Sequence, residues 1–240
     1  MTWYSFGPMR TTVGLGLLMA VTSLCTISCS SGAEDPYKPA PAWSGRKPNL
    51  PSPPTLNAAP IKVGDAYTIA GASHHLRSRM HDKEVTKSPI TIQGYIVEEN
   101  ISTAPQCAIH KSGKADPEDC KAEIPSFWIA DEKGAGPDKP RIRVLGWAKN
   151  YAIIFDAMEK YKPLKAPPTE KQVVKDEVWQ VDIPYPLPAK GAKVKVTGQY
   201  GFTFSKASGG LVSDPVNGVM TFQKYEVVEP APEPVAFPKK

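Results

Sequence analysis

The pattern of apolar and polar residues predicts a mainly β domain with one or two helices. Short stretches in which apolar and polar side chains alternate are typical of strands. Five such stretches are long enough to build one sheet, and turn-forming residues separate them. These are residues 90–97, 126–130, 141–145, 192–198 and 219–228. Gly94, in the middle of the first stretch, indicates a bulge or a sharp bend in that strand.

A helical pattern interrupts the strands between residues 150 and 161. Its apolar residues recur at the spacing of one helix face. They are Tyr151, Ile154, Phe155, Met158 and Tyr161. Asn150 is suited to cap the N-terminus, and Pro163 ends the helix. We expect Phe155 to be nearly fully buried and Asp156, on the opposite face, to tolerate substitution.

Shorter patterns predict minor elements around this domain. Tyr67–Ile69 indicates a strand, and Ser73–Met80 a short helix, in an N-terminal extension over residues 63–89. Glu177–Val181 indicates one additional short strand between the helix and the fourth main strand.

Three strands, a helix and two further strands follow the order of an oligonucleotide/oligosaccharide-binding (OB) barrel. The segments that begin at Gly94 and at Phe127, and the segment from Gly191 to Gly198, resemble the skeleton of small exported OB-like proteins. The resemblance implies a five-stranded OB-like barrel over residues 90–228. The insert between the first two strands and the segment around Trp179 depart from a minimal barrel.

Proline-rich segments flank the predicted domain. Residues 36–60 contain eight prolines and few large apolar side chains. Such a segment cannot bury enough apolar surface to offset its ordering entropy, so residues 29–62 are predicted to be an extended tether. Residues 229–240 have the same character and predict a polyproline tail.

The first residues have the layout of a secretory leader. Thr11–Ser28 carries no charge, and Arg10 is the one charged side chain before it. A basic start, an apolar middle and small residues at the end are typical of a cleaved signal peptide. Residues 1–28 are therefore predicted to be removed, which changes the formal net charge from +5 to +4 because the leader contains no acidic residue.

Cys29 resembles the lipidated cysteine of a bacterial lipoprotein. Ile27, Ser28 and Cys29 match the signal peptidase II motif, whereas Thr26 stands where that motif has leucine. The resemblance implies a lipid anchor on Cys29 and a domain in the periplasm or at the cell surface. Ser30, in place of the aspartate that retains lipoproteins in the inner membrane of enteric bacteria, favours the outer membrane.

The remaining cysteines are candidates for a disulfide. Cys25 lies in the leader, which leaves Cys107 and Cys120 as a pair in an exported chain, where disulfides persist. An alternative is that the insert with these cysteines and the histidines form a small-ligand site or a zinc site; the zinc site would be formed by the two thiolates and imidazoles. Its candidate ligands are His74, His75, His81 and His110. Their spacing matches no standard zinc motif.

The residues that favour a binding function are aromatic and basic side chains on or beside the predicted strands. A possible ligand groove contains Trp128, Arg141, Arg143 and Trp147. A glycan or another envelope protein is the expected partner. Nucleic acid is not expected, because the net charge is modest and the charged residues are evenly mixed in sign.

No standard catalytic motif is present, so we predict a non-catalytic binding or structural domain without a cofactor. An uncharacterised envelope enzyme remains an open alternative.

Overall fold

The computed structural model describes residues 59–77, 88–164, 166–206 and 210–239. The described chain is mainly β with two α-helices, as the sequence predicts. Its elements are β1 (Lys62–Val63), β2 (Ala66–Tyr67), α1 (Ile69–His75), β3 (Ile90–Glu99), β4 (Phe127–Ala130), β5 (Arg141–Leu145), α2 (Tyr151–Tyr161), β6 (Lys175–Asp176), β7 (Val181–Asp182), β8 (Lys193–Gly201), β9 (Thr203–Lys206), β10 (Gly210–Ser213) and β11 (Val219–Glu229). Within these ranges, neither helix is long and apolar enough to cross a membrane.

Seven strands form one sheet in the order β1-β2-β3-β4-β5-β11-β8. The strand β8 pairs with β11 and also with β3, both in antiparallel orientation. The strand β11 runs parallel to β5, whereas β4 is antiparallel to both of its neighbours. Each of the strands β3, β4, β5, β11 and β8 therefore has at least two hydrogen-bonded neighbours. Separate two-stranded sheets are formed by β6 with β7 and by β9 with β10.

Two glycines allow strands of this sheet to approach each other closely. A Cβ atom on Gly198 in β8 would lie 2.0 Å from the carbonyl oxygen of Thr221 in β11. A Cβ atom on Gly94 in β3 would lie 2.7 Å from the carbonyl oxygen of Ala130 in β4. The pairing register of β3 and β4 shifts between Ile96 and Glu98, beyond Gly94. Close backbone approach is thus the reason for glycine at both positions.

The helix α1 begins earlier than its sequence pattern predicts. It starts at Ile69 because Thr68 caps it, with the backbone N–H of Gly71 donating to Thr68 Oγ1 at 2.8 Å. The carboxylate of Asp131, just after β4, accepts from the backbone N–H groups of Ile69 and Ala70 at 2.7 and 2.8 Å. The predicted strand through Ile69 therefore ends at Tyr67 in β2. Of the predicted helix Ser73–Met80, residues 78–80 lie outside the described residues.

The helix α2 has the predicted ends but a different buried face. Asn150 caps it by accepting from the backbone N–H of Ile153 at 3.2 Å. The buried side chains centre on Ile154, and Phe155, one residue further around the helix, is only half-buried. The expected near-complete burial of Phe155 is therefore wrong. Its ring instead packs on Phe237, with the ring centroids 6.2 Å apart.

The structure shows a contact of Asp156 that the helical spacing does not predict. The Asp156 side chain is half-buried and accepts from both the backbone N–H, at 3.1 Å, and the hydroxyl of Ser112. Ser112 belongs to the long insert between β3 and β4, so this contact fastens the insert to α2. A helix face that looks solvated in the sequence is covered here by a distant loop.

Of the predicted strand Glu177–Val181, residues 177–180 form instead a turn between β6 and β7, and Val181 begins β7. The carboxylate of Asp176, which is 0% exposed, organises that turn. It accepts from the backbone N–H groups of Val178 and Trp179 at 2.9 and 3.1 Å, and from that of Lys149 at 2.5 Å. Because Lys149 immediately precedes the cap of α2, one carboxylate joins the turn to the start of the helix.

The proline-rich C-terminus packs against the domain. The strand β11 extends to Glu229, and beyond it Ala231, Val235 and Phe237 contact the hydrophobic core. The side-chain amide of Gln106 donates to the carbonyl oxygen of Pro238 at 3.1 Å. Apolar side chains between the prolines thus attach this segment, where composition alone predicts a free tail.

Candidate functional site

The outer face of β4 and β5 brings together three of the four residues of the predicted ligand groove. Trp128 of β4 is the direct cross-strand partner of Arg143 of β5, and Arg141 lies two residues away on the same side. All three side chains are partly exposed. Their neighbours in the same strands, including Phe127 and Ile142, point inward and are fully buried. Strand alternation therefore separates a core face from an outer face at this position.

Both arginines lie over the ring of Trp128. The guanidinium carbon of Arg143 is 4.7 Å from the ring centroid, and that of Arg141 is 5.7 Å away. Both distances are within the range of cation–π attraction. The ring and the two planar cations form one cluster, which we call the Arg–Trp–Arg face.

Acidic and polar side chains orient the two guanidinium groups. Arg143 Nε donates to Ser126 Oγ at 3.0 Å, and Arg143 Nη2 lies 3.6 Å from Glu123 Oε2. Arg141 forms an ion pair with Glu98 of β3. Burial lowers the pKa of Arg143, and Glu123 opposes that change. An arginine nevertheless stays protonated in proteins, so both groups are cations.

The sequence did not single out these orienting residues. The position of Glu98 beside this face follows only from the strand register, because Glu98 of β3 pairs directly with Trp128 of β4. Glu123 and Ser126 come from the end of the insert, where no sequence periodicity exists to place them. Their contribution depends on how that loop returns to β4.

Trp147, the fourth predicted groove residue, does not belong to this face. Its side chain is 0% exposed and packs edge-to-face on Phe127, with the ring centroids 6.2 Å apart. The strand β5 ends at Leu145, and Gly146 adopts a left-handed conformation with φ of 79°. This turn ends the strand alternation and directs the indole into the core, so Trp147 is a core residue.

The insert between β3 and β4 contains the predicted cysteine pair at disulfide distance. The Sγ atoms of Cys107 and Cys120 lie 2.08 Å apart, and their Cα atoms 5.8 Å apart. The bond joins residues separated by 13 positions in the sequence. A disulfide of this kind constrains the unfolded chain more than the folded one.

Cys107→Ala is expected to lower the free energy of unfolding by about 2–4 kcal/mol, because the open loop gains entropy in the unfolded state. Chemical denaturation under non-reducing conditions measures this difference. The same measurement on the wild type with a reductant serves as a control, since reduction should reproduce the effect of the mutation. Equal stability of the oxidised and reduced wild-type protein would contradict this account.

His110 is held through both of its ring nitrogens. Nδ1 lies 2.8 Å from the carbonyl oxygen of Lys111, and Nε2 lies 2.6 Å from Asp116 Oδ1. Both partners are acceptors, so the doubly protonated ring satisfies them together. The hydrogen bond to the Lys111 carbonyl, followed by that to Asp116, raises the pKa of His110 above its usual value of 6.5. Both contacts therefore favour protonation of the ring.

This arrangement does not assemble the alternative zinc site. The thiolates that zinc needs are joined in the disulfide, and His110 has no ring nitrogen without a partner. His74 and His75 lie in the last turn of α1, and His81 lies outside the described residues. In the described parts of the chain, no three histidine, cysteine or acidic side chains lie close enough together to hold a metal ion.

A serine near His110 does not complete a catalytic triad. In a triad the imidazole accepts the proton of the serine hydroxyl. Here the hydroxyl of Ser112 contacts the carboxylate of Asp156, and both nitrogens of His110 have other partners. The proximity of these residues in the sequence therefore does not produce the geometry of a nucleophile and its base.

Comparison with models of known protein families found no match for this chain, and comparison with curated proteins found none either. The predicted lipidation site, Cys29, lies outside the described residues.

Proposed function

We propose that this protein is a lipid-anchored cell-envelope protein whose folded part is a non-catalytic OB-like binding domain. The anchor rests on the leader pattern and on the resemblance of Cys29 to a lipidated cysteine. The binding activity rests on the Arg–Trp–Arg face, which is the observation that carries the proposal. The domain is proposed to be located in the periplasm or at the cell surface.

The strand pairings support an OB-like barrel. The strands β3, β4, β5, β11 and β8 follow one another through hydrogen-bonded pairs, and β8 pairs again with β3. The pair β5–β11 is parallel, and α2 lies in the chain between the third and fourth of these strands. This agrees with a five-stranded barrel of mixed pairing.

The position of the Arg–Trp–Arg face also supports this function. OB barrels bind oligonucleotides and oligosaccharides on the face of their second and third strands. In this chain those strands are β4 and β5, which carry Trp128, Arg141 and Arg143. The loop between the first two strands contributes Glu123 and Ser126 beside Arg143.

The chemistry of the face favours an acidic envelope glycan as the partner. A sugar ring packs its C–H groups on an indole, and a guanidinium donates two parallel hydrogen bonds to a carboxylate. The existing partners of the two arginines are carboxylates with exposed side chains, 78% exposed for Glu123 and 51% for Glu98. A ligand carboxylate can replace such partners at little cost, since exposed ion pairs contribute at most about 1 kcal/mol.

Co-sedimentation with isolated peptidoglycan sacculi tests the binding function. The wild type should sediment with sacculi, and Trp128→Ala and Arg143→Ala should each weaken binding by at least about tenfold, equivalent to 1.4 kcal/mol. Lys195→Ala is the matched control, because Lys195 is a partly exposed cation on β8 with a partner, Asp65, at 3.5 Å. If the wild type stays in solution, or if all three variants bind equally, the glycan assignment is wrong and a protein partner becomes the better hypothesis.

Membrane fractionation tests the anchor. Cys29→Ser should move the protein from the membrane fraction to the soluble envelope fraction, because stable attachment requires two or more acyl chains. Cys25→Ser is the matched control and should leave the protein in the membrane fraction, because Cys25 precedes the proposed cleavage site. Equal membrane retention of both variants would refute lipidation at Cys29.

A further inference from the structure

An apolar groove lies between α2 and the C-terminal segment, and none of the three residues of the Arg–Trp–Arg face lines it. Its volume is about 690 Å³. Phe155 and Met158 of α2 line one side, and Val235 and Phe237 of the C-terminal segment line another. Leu187, in the loop before β8, contributes further apolar surface. A cavity of this size and composition is typical of a site for one small molecule.

A second, polar recess shares walls with this groove. It has a volume of about 480 Å³, and Tyr185 and Tyr225 line both concavities. The recess is bordered by Lys175, Lys224 and Asp182. Lys175 Nζ lies 3.9 Å from Asp182 Oδ1, so these two charges offset each other. Among the residues that the structure describes, Lys224 has no ion-pair partner, which leaves the recess with a net positive charge.

Tyr185 lies at the boundary between the two concavities, whereas the hydroxyl of Tyr225 is buried without a hydrogen-bond partner among the described residues, and its ring packs edge-to-face on Phe127 with the centroids 6.3 Å apart. A tyrosine ring offers an apolar body with a polar tip. The Tyr185 ring packs edge-to-face on Tyr161, whose hydroxyl donates to the carbonyl oxygen of Ile183 at 3.0 Å. Tyr161 also accepts from the backbone N–H of Val174 at 3.1 Å, so its hydroxyl fastens to α2 the segments that border the recess.

We propose that the groove and the recess together bind a single-chain anionic amphiphile, such as a fatty acid. The apolar chain lies in the groove against α2 and the C-terminal segment, and the anionic head group lies in the recess beside Lys224. The proposed ligand matches the mainly apolar lining of the groove, which also includes Glu159, Lys162 and Glu233, and the net charge of the recess. This site is separate from the proposed glycan-binding face and does not depend on it.

The C-terminal segment would then be part of the binding site. Its apolar side chains form one wall of the groove, and contacts with α2 and the core hold that wall in place. Phe237 contacts both Tyr151 and Phe155, with ring centroids 6.5 and 6.2 Å apart. A segment that composition describes as a polyproline tail thus forms one wall of the groove.

Fluorescence titration with cis-parinaric acid, a fatty acid with a conjugated chain, tests this proposal on the whole chain freed of co-purified lipid. The fluorescence should rise to saturation at one molecule per chain. The methyl ester of the probe should bind at least about tenfold more weakly, a difference of 1.4 kcal/mol, because it lacks the charge that Lys224 attracts. A lack of saturable binding, or equal affinity for acid and ester, would overturn the proposal.

Two variants separate the groove from the recess. Met158→Glu places a charge among apolar walls and should weaken binding of both acid and ester by at least about tenfold. Lys224→Glu should weaken binding of the acid by about tenfold and leave the ester unchanged. Leu187→Glu places the same charge in the groove from the loop before β8 and should have the same effect. It keeps the test valid if Met158→Glu disturbs α2.

Exposed positions provide matched controls for these variants. Lys171→Glu makes the same charge change as Lys224→Glu outside the recess, and Val216→Glu places the same acid at a side chain that is 60% exposed. Both controls should bind the acid as the wild type does. If the controls lose affinity as strongly as the groove and recess variants, net charge governs binding and the proposed site is wrong.

Discussion

Gly198→Ala is expected to lower the free energy of unfolding by at least about 3 kcal/mol, the upper range for overpacking a core. The added Cβ atom would lie 2.0 Å from the carbonyl oxygen of Thr221, a distance that requires the backbone to move. Gly198 and Phe222 are register partners in the pair β8–β11, so the displaced atoms belong to the longest strand pairing in the sheet. Urea denaturation followed by circular dichroism measures the difference.

Gly201→Ala is the matched control for this substitution. Gly201 lies in the same strand, and no atom lies within 4 Å of the position that its Cβ would take. We expect the control to be neutral or stabilising by up to about 1 kcal/mol, because alanine restricts the unfolded chain. If the two variants unfold at the same urea concentration, the strands do not approach each other as closely as described.

Asp176→Ala is expected to lower the free energy of unfolding by about 3–5 kcal/mol. The change removes a fully buried carboxylate and leaves the backbone N–H groups of Lys149, Val178 and Trp179 without their acceptor. Thermal unfolding monitored by tryptophan fluorescence measures the loss, and it also reports on the turn, because Trp179 packs on Phe204 with ring centroids 5.8 Å apart.

Asp182→Ala provides the comparison in the same small sheet. Asp182 pairs in register with Lys175, next to Asp176, but its side chain is 63% exposed and its ion pair with Lys175 is long, at 3.9 Å. The expected change is within about 0.5 kcal/mol. A large loss in Asp182→Ala, or none in Asp176→Ala, would show that surface charge and not the buried acceptor stabilises the turn.

Local patterns were sufficient to predict most of the regular structure. The strands β3, β4, β5, β8 and β11 and the helix α2 follow alternation or helical spacing that is visible over five or more residues, or four in β4. The cap at Asn150 and the cysteine pair also depend on residue type and short spacing. These features depend on neighbouring residues in the chain and not on distant contacts. A local sequence pattern is therefore enough to predict them.

The differences from these predictions concern residues whose surroundings come from elsewhere in the chain. Phe155 and Asp156 were assigned by helix spacing alone, but the C-terminal segment and the insert cover that side of α2. The start of α1 depends partly on Asp131, which is 62 residues further along the chain than Ile69. No periodicity of the sequence encodes such partners.

In the candidate site, too, local patterns predict some residues correctly, whereas residues that depend on distant parts of the chain are missed. Alternation is sufficient to place Arg141 and Arg143 on one side of β5, because that side is set by the pleat of the sheet, whereas Trp128 joins them through the register between β4 and β5. Trp147 was misplaced because a single left-handed glycine redirects the chain after β5. The apolar groove was not predicted, because its walls come from three segments that are distant in the chain. One of these segments has the composition of a polyproline tail.

The parallel position of β11 sets a condition on the order of folding. Residues 219–229 lie between β5 and β8, so the last of the described strands to be synthesised is an interior strand of the sheet. Until it arrives, one edge of each of those two strands has no partner, and unpaired edges promote aggregation. The long sequence separation between β5 and β11 also slows folding. A chain cut before residue 219 would therefore not be a slightly smaller version of this domain but an open sheet, prone to associate with other copies.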